Sequence, residues 1–409
     1  MRLIYADSGL LSNTGHHASV CRTFLREAHA RAIQTVLLAG ANIEAGLRSE
    51  LAPVPLFRVS PYHFTTGDPL CGWFDGFLRG AQQTAEDYGR LTDMTRDDIL
   101  YVTACQPAHL AGLVDWLGKL PPERLPAVVA DLIFPPGMDP KPGSNGEVWE
   151  SRDPREDARA VFYRHIGLRL KEQKLTRLRF LTEHVALPKV YSLLLSSEVS
   201  YTPAQPHAVP TMLRRRAGTR PMTVGIVGHQ RPDKGYTFMP EVLAALLQAR
   251  DDIRILVHNS GPAKYRLAET ERAMEELAAG NPRLTLDHRA LSPDEYESLL
   301  ASIDVMLCPY DPRVYRSNLS GVVIECLIRA IPVVLPAGTV NADQFRIFGP
   351  SGTAFESFDA ASITEAALRL LNGFDEHAAA AVAAAQQWAR DNNPAKFVDA
   401  VLALVDGAT

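Results

Sequence analysis

Short apolar runs of strand length alternate with longer stretches of helical period along this 409-residue chain, and the alternation stops once and restarts. In the first half, strands are expected at 2–6, 35–39, 99–104, 127–134, 179–182 and 198–201. Helices are expected at 15–32, 109–120, 156–174 and 189–195. Parallel neighbours need long crossovers, and helices supply them, so the pattern predicts a parallel sheet covered on both faces. Residues 203–221 then carry Pro203, Pro206, Pro210 and Pro221 around Arg214-Arg215-Arg216, a composition that disfavours regular structure. After it, strands at 223–227, 253–258, 284–286, 305–307 and 332–335 alternate with helices again. The expectation is an α/β chain of two doubly wound, Rossmann-like domains. The first spans 1–203 and the second 222–375, joined by a linker at 204–221. Further helices are expected in 376–409.

Composition limits what such a chain does. Apolar residues make up 46% and charged residues 22%, which is ordinary for a globular protein. The net charge of −5 leaves no basic field, so nucleic acid is not an expected partner. The cysteines are Cys21, Cys71, Cys105, Cys308 and Cys326. None forms CxxC, so they suggest neither a zinc site nor a disulfide framework, and a reducing compartment fits. The N-terminus reaches Asp7 after a few apolar residues, and nothing approaches the ~20 apolar residues of a membrane span. A cytoplasmic location is expected, with attachment to the inner face of a membrane left open.

Several common motifs are missing: GxGxxG after either first strand, the P-loop, GxSxG and HExxH. Asp-x-Asp is missing too. Enzymes that hold a nucleoside diphosphate through a metal often use that pair, so a metal-free way of neutralising a diphosphate is worth seeking, and no metal site is expected.

Three loops at expected strand ends carry chemistry. Gly228 opens the loop ending in Arg231-Pro232-Asp233-Lys234-Gly235. Its Arg and Lys can set two cations on a diphosphate, although a solvated charged loop fits the same residues. The second loop holds Tyr310, Tyr315, Ser317, Asn318 and Leu319 and ends at Ser320-Gly321, where a helix starts whose free amides and dipole suit phosphate. Glu325, one turn on, is a carboxylate on an apolar helix, and vicinal ribose hydroxyls are suitable donors to it. A plain helix cap with a structurally paired glutamate is the alternative. The third loop, Ser12 to Ser19, holds Gly15, His16 and His17 at a helix start, either a phosphate or sugar contact or a capping loop.

On these residues the sequence resembles the GT-B glycosyltransferases, especially the retaining family-4-like group. Gly15-His16-His17 matches the glycine-bearing loop of its first domain. Arg231 and Lys234 match the pair that the family sets on the donor diphosphate. Glu325-Cys326 followed by Pro332-Val333-Val334 matches its closing signature. Ser317 stands where the family often has the first of two glutamates. Ala130-Asp131 stands where it often has His-Asp, and His16, His17, His109 and His184 are the histidines that could compensate.

The resemblance implies GT-B architecture, two domains facing across a cleft with a nucleotide sugar between them and the helices of 376–409 packing back towards the first domain. It implies transfer of the sugar to a glycan, lipid-linked or protein acceptor, in polysaccharide or glycoconjugate assembly. It implies retention of configuration, no cofactor beyond the donor substrate, and roles for Arg231, Lys234, His16 and Asp131 in catalysis. A non-catalytic nucleotide-sugar-binding scaffold is the alternative. Arg164, Arg169, Lys171, Lys174, Arg177 and Arg179 form a basic stretch that suits either peripheral membrane contact or a solvated face. Aromatic residues from Tyr62 to Phe77 suit either stacking on a sugar or packing under a long loop.

Overall fold

A computed structural model describes residues 2–13, 16–62, 65–141, 148–202, 221–261, 267–349 and 351–406. The chain divides into two compact units, residues 1–208 with 391–409, and residues 209–390. Gly15 and nearly all of the expected linker lie outside the described residues.

The first unit is built on a seven-stranded, all-parallel sheet. Its strands are β1 (Arg2–Asp7), β2 (Gln34–Gly40), β3 (Val54–Phe57), β4 (Ile99–Val102), β5 (Ala127–Asp131), β8 (Leu178–Thr182) and β9 (Val199–Tyr201), ordered β3-β2-β1-β4-β5-β8-β9. A small antiparallel pair, β6 (Met138–Pro140) and β7 (Trp149–Ser151), stands apart. Successive strand side chains point to opposite faces. In β1, Leu3 and Tyr5 therefore enter one core while Ile4 and Ala6 enter the other. Helix α1 (His17–Ala30) covers the first face. Helices α3 (Gly72–Gly89), α4 (Pro107–Leu117), α5 (Arg159–Gln173) and α6 (Pro188–Leu195) cover the second. Helix α2 is a short segment (Ala45–Leu51).

The second unit repeats the plan with six parallel strands: β10 (Met222–Val227), β11 (Ile253–His258), β12 (Leu284–Asp287), β13 (Val305–Leu307), β14 (Val333–Pro336) and β15 (Gly352–Phe355). Their order is β12-β11-β10-β13-β14-β15. Val224 and Ile226 face one core, with α7 (Met239–Ala249) and α12 (Ala360–Asn372). Met306, Val333 and Leu335 face the other, with α9 (Pro293–Ser302) and α10 (Gly321–Ile328). Helices α8 (Ala268–Gly280) and α11 (Val340–Phe348) complete the layers. Helix α9 starts on a reciprocal cap: Ser292 accepts from the Glu295 amide, Glu295 returns the bond to the Ser292 amide, and Pro293 takes the first helical position.

The last two helices part company, which corrects the expectation for 376–409. Helix α13 (Phe374–Asp391) belongs to the second unit, where Ala378, Ala384 and Trp388 are buried in its cores. Its alanine face lets the backbone lie close to its neighbours. Only α14 (Pro394–Asp406) joins the first unit, putting Phe397, Val398 and Val401 beside Phe24 and Tyr101. Of the two readings left open for the aromatic segment, packing holds at Phe77. Phe77 lies on α3 and stacks on Phe162 with ring centroids 4.2 Å apart, so it packs the core and offers no sugar platform. Among the described residues, no helix is long and apolar enough to cross a membrane.

Candidate functional site

In the second unit the strand order reverses between β10 and β13. In doubly wound sheets that reversal opens a crevice beyond the carboxyl ends of the strands. Both expected binding loops leave those two strands. The loop after β10 begins at Gly228 with φ +126°, a conformation that favours glycine, and an added Cβ would stand 2.8 Å from the Lys234 Nζ and push it aside. The Tyr236 hydroxyl donates to the Gly228 carbonyl at 2.9 Å. Pro232–Lys234 form a 3-10 turn closed by Gly235 at φ +71°, where a Cβ would meet the Pro309 carbonyl oxygen at 2.0 Å. The two loops thus approach backbone to backbone, and the Asp311 amide donates to the Asp233 carbonyl at 2.9 Å.

Side chains complete the join. Arg231 donates to Asp233 Oδ2 at 2.6 Å and to the Tyr315 hydroxyl at 3.1 Å. Its Nε is buried with no hydrogen-bond partner among the described residues. The Lys234 ammonium lies over the Tyr310 ring, 5.6 Å from its centroid. Tyr310 stacks on Tyr315 at 4.3 Å, and its hydroxyl shares a hydrogen bond of 3.1 Å with Ser320 Oγ. Burial and the neighbouring Arg231 charge push the Lys234 ammonium down to about 8. Burial and the same two cations also push the His229 imidazole below its ordinary value. Two cations against the single carboxylate of Asp233 leave the loop with a local excess of positive charge.

Helix α10 starts at the end of the second loop. Ser320 has extended backbone angles and offers no side-chain cap, because its hydroxyl is engaged by Tyr310. The Val323 amide turns back to the Ser320 carbonyl at 3.0 Å, so the Gly321 and Val322 amides are the ones left to an outside acceptor. Asn341, fully buried on α11, sets the approach. Its Oδ1 accepts from the Ser320 amide at 2.9 Å and its Nδ2 donates to the Asn318 carbonyl at 2.9 Å. Ser317 is buried, Asn318 and Leu319 are half-buried, and Gly321 is exposed. Glu325 Oε2 accepts from the Tyr296 hydroxyl of α9 at 2.8 Å. Burial raises the Glu325 carboxyl, while Arg329 and Tyr296 hold it down.

Arg231, Lys234, Gly228, Tyr310, Tyr315, Ser320 and Gly321 are therefore brought together in one strand-end cluster, with Glu325 one turn further along α10. Asn341 and Tyr296 went unread in the sequence. Both act across long sequence separations, and no local pattern marks them.

The first-unit candidates stand differently. His17 is buried, with Nδ1 against Asp7 Oδ2 at 2.9 Å and Nε2 against the Tyr62 hydroxyl at 2.6 Å. Both ring nitrogens are thus engaged within the protein, which corrects its reading as a ligand contact. His16 is exposed and stacks on His17 at 4.5 Å. Asp131 ends β5 with no exposed surface and accepts from the Tyr101 hydroxyl at 2.8 Å. Burial raises its carboxyl well above the usual range, and burial and Asp131 raise the neighbouring Glu183 carboxyl too. The carboxyl expected to serve catalysis is thus enclosed beside Tyr101. In the basic stretch, Arg169 pairs with Asp115, Arg164 donates to Ser196 Oγ at 2.6 Å and Arg177 to the Arg96 carbonyl at 2.9 Å. Arg179 donates to the Thr176 carbonyl at 2.7 Å, so four of the six cations serve local structure.

No protein-family model and no curated protein matches the sequence. Solved structures do match over essentially the whole chain. The Anabaena HepE structure in complex with UDP and glucose is similar at 12% identity, covering 99% of each chain, with a TM-score of 0.61. An E. coli trehalose-6-phosphate protein bound with UDP-2-fluoro glucose is similar at 12% identity, covering 99% of each chain, with a TM-score of 0.65. A UDP-forming trehalose-phosphate synthase from Burkholderia xenovorans is similar at 13% identity, covering 100% of this chain and 99% of its own, with a TM-score of 0.63. At such identities the likeness defines the fold. The chain is an α/β protein of GT-B architecture, with a parallel sheet in each of two domains.

Proposed function

We propose that this chain transfers a sugar from a nucleoside diphosphate sugar to a glycan, lipid-linked or protein acceptor, with Arg231 and Lys234 on the diphosphate. The observation that carries the reading is the strand-end cluster. A buried guanidinium Nε without a protein partner, an ammonium held at low polarity and an uncapped helix start all call for an anion. As the bond from the anomeric carbon to the diphosphate oxygen breaks, negative charge grows on the leaving group. Arg231, Lys234 and the amides at Gly321 stabilise it. The acceptor oxygen bonds to the anomeric carbon, and its proton passes to the leaving phosphate. The two side-chain cations do the work that a divalent ion does elsewhere, so no cofactor is required beyond the donor. Glu325, with Oε2 already taken by Tyr296, offers its other oxygen to ribose hydroxyls. Retention of configuration and the family-4-like grouping follow from the sequence resemblance, and a cytoplasmic setting from the cysteine pattern and the N-terminal sequence; all three belong to this reading.

A second reading, a non-catalytic nucleotide-sugar-binding scaffold, is favoured by two observations: Ser317 replaces the usual glutamate, and Asp131 is enclosed. One experiment separates the two. UDP-, GDP-, dTDP- and ADP-sugars are screened by thermal shift, since ligand that prefers the folded state raises apparent stability by mass action. UDP-glucose, named in similar structures, is the first to test. The stabilising donor is then offered an acceptor panel. Turnover supports the enzyme, binding without turnover supports the scaffold, and binding of none of the donors overturns both.

A further inference from the structure

Helix α8 and the end of β12 bring Glu271, Glu275 and His288 together, with one ligand atom of each within 4.8 Å of the other two. The glutamates stand one helical turn apart and so share a face of α8. The His288 ring is oriented from the other side, its Nδ1 lying 3.3 Å from the backbone carbonyl of Asn259. A carbonyl can only accept, so Nδ1 is the donor there, and Nε2 is the ring nitrogen turned towards the glutamates. That Nε2 is buried, has no hydrogen-bond partner and lies 3.9 Å from Glu271 Oε1. The imidazole nitrogen and the two carboxylates thus converge on one small volume. A backbone carbonyl fixing the far nitrogen is also how metal-ligating imidazoles are usually held.

We infer that Glu271, Glu275 and His288 bind one divalent transition-metal ion of the zinc class. One imidazole and two carboxylates, with water in the fourth position, suit such an ion better than magnesium or calcium, which take oxygen ligands. Metal–ligand bonds of about 2.0–2.2 Å put ligand atoms roughly 3.4 Å apart, so the site closes by rotation of the exposed Glu275 side chain. The ion takes no part in the diphosphate chemistry. It fastens α8 to the segment after β11, where Asn259 Oδ1 accepts from the Gln230 amide at 3.3 Å and the Gly261 amide at 3.1 Å. Gln230 immediately precedes Arg231, so the metal steadies the flank of the cationic loop. The inference does not depend on the glycosyl-transfer reading.

The test uses the full chain, stripped with a chelator and titrated with zinc chloride by calorimetry and thermal shift. One saturable equivalent and a raised melting temperature are expected. His288→Ala and Glu275→Gln are each expected to weaken binding at least about tenfold, and Glu275→Gln, on an exposed position, keeps the fold. Cys71→Ser, which removes the exposed thiol, is expected to leave binding unchanged. No saturable binding at millimolar zinc overturns the inference. So does unaltered binding in both His288→Ala and Glu275→Gln, loss of binding in Cys71→Ser, or magnesium binding as tight as zinc.

Discussion

The Arg231 guanidinium donates to the Tyr315 hydroxyl at 3.1 Å, tying the loop after β10 to the loop after β13. The direction of the cation is thus set by a residue 84 positions away. Arg231→Ala and Lys234→Ala are each predicted to lower kcat/KM for the donor by about 10²-fold, as for loss of one charge-stabilising group. Tyr315→Phe keeps the ring that stacks on Tyr310 and loses only the acceptor, so about a tenfold drop is expected. Near-normal steady-state kinetics in both alanine variants would exclude these residues from the diphosphate site.

The Lys234 ammonium, at about 8 in the free protein, gives donor binding a pH dependence. A bound diphosphate favours the charged form and raises the pKa, so binding takes up a proton. Affinity is therefore highest below pH 8 and falls as pH rises through that value. Lys234→Arg keeps its charge and should flatten the profile between pH 7 and pH 9.5. Calorimetry across that range in buffers of different ionisation enthalpy measures both affinity and proton uptake. A profile equally steep in the arginine variant would assign the dependence to another group.

Asn341 satisfies the buried Ser320 amide and the Asn318 carbonyl with one side chain. Asn341→Ala leaves both without a partner, at a cost of about 1–3 kcal/mol in stability. Donor affinity is expected to fall as well, because the start of α10 loses its anchor. Asn341→Asp keeps the acceptor and loses the donor, so it should fall between. Urea denaturation and donor titration on the three proteins give the order, and an unchanged midpoint for the alanine variant would contradict it.

The enclosed Asp131 predicts a stability trend with pH. Its folded-state pKa is raised, so between the ordinary carboxylate value of 3.8 and the raised one the folded chain binds more protons than the unfolded chain. Stability then falls as pH rises from about 4 towards neutrality. Asp131→Asn removes this contribution and should reduce the slope, with Glu183 supplying what remains. Chemical denaturation at several pH values tests this. A slope unchanged by the substitution would mean that Asp131 is ionised in the folded protein.

How far the sequence could be read is clearest in single residues. Val224 and Ile226 alternate with Gly225 and Val227, and that period of two sufficed to place β10 in a two-faced sheet. Gly228, Arg231 and Lys234 followed directly, because a strand end in a parallel sheet is where ligands bind. Phe77 stayed open between the two readings because an aromatic in a glycine-bearing stretch has no local mark that separates a core residue from a platform. His17 was read as a ligand contact because Asp7 and Tyr62, which occupy its two nitrogens, lie 10 and 45 residues away.

The sequence alone determined the alternation of strands and helices, the break into two repeats of one plan, and the loops on which cations and an uncapped helix start occur. These are properties of neighbours along the chain, governed by side-chain periodicity and backbone preference. The tertiary structure decided which groups are already partnered and which remain open: His17 engaged, Asp131 enclosed, Arg231 Nε without a partner, and His288 turned by Asn259 towards two glutamates. Hydrogen bonds and burial join residues tens of positions apart, and only packing brings those residues within reach.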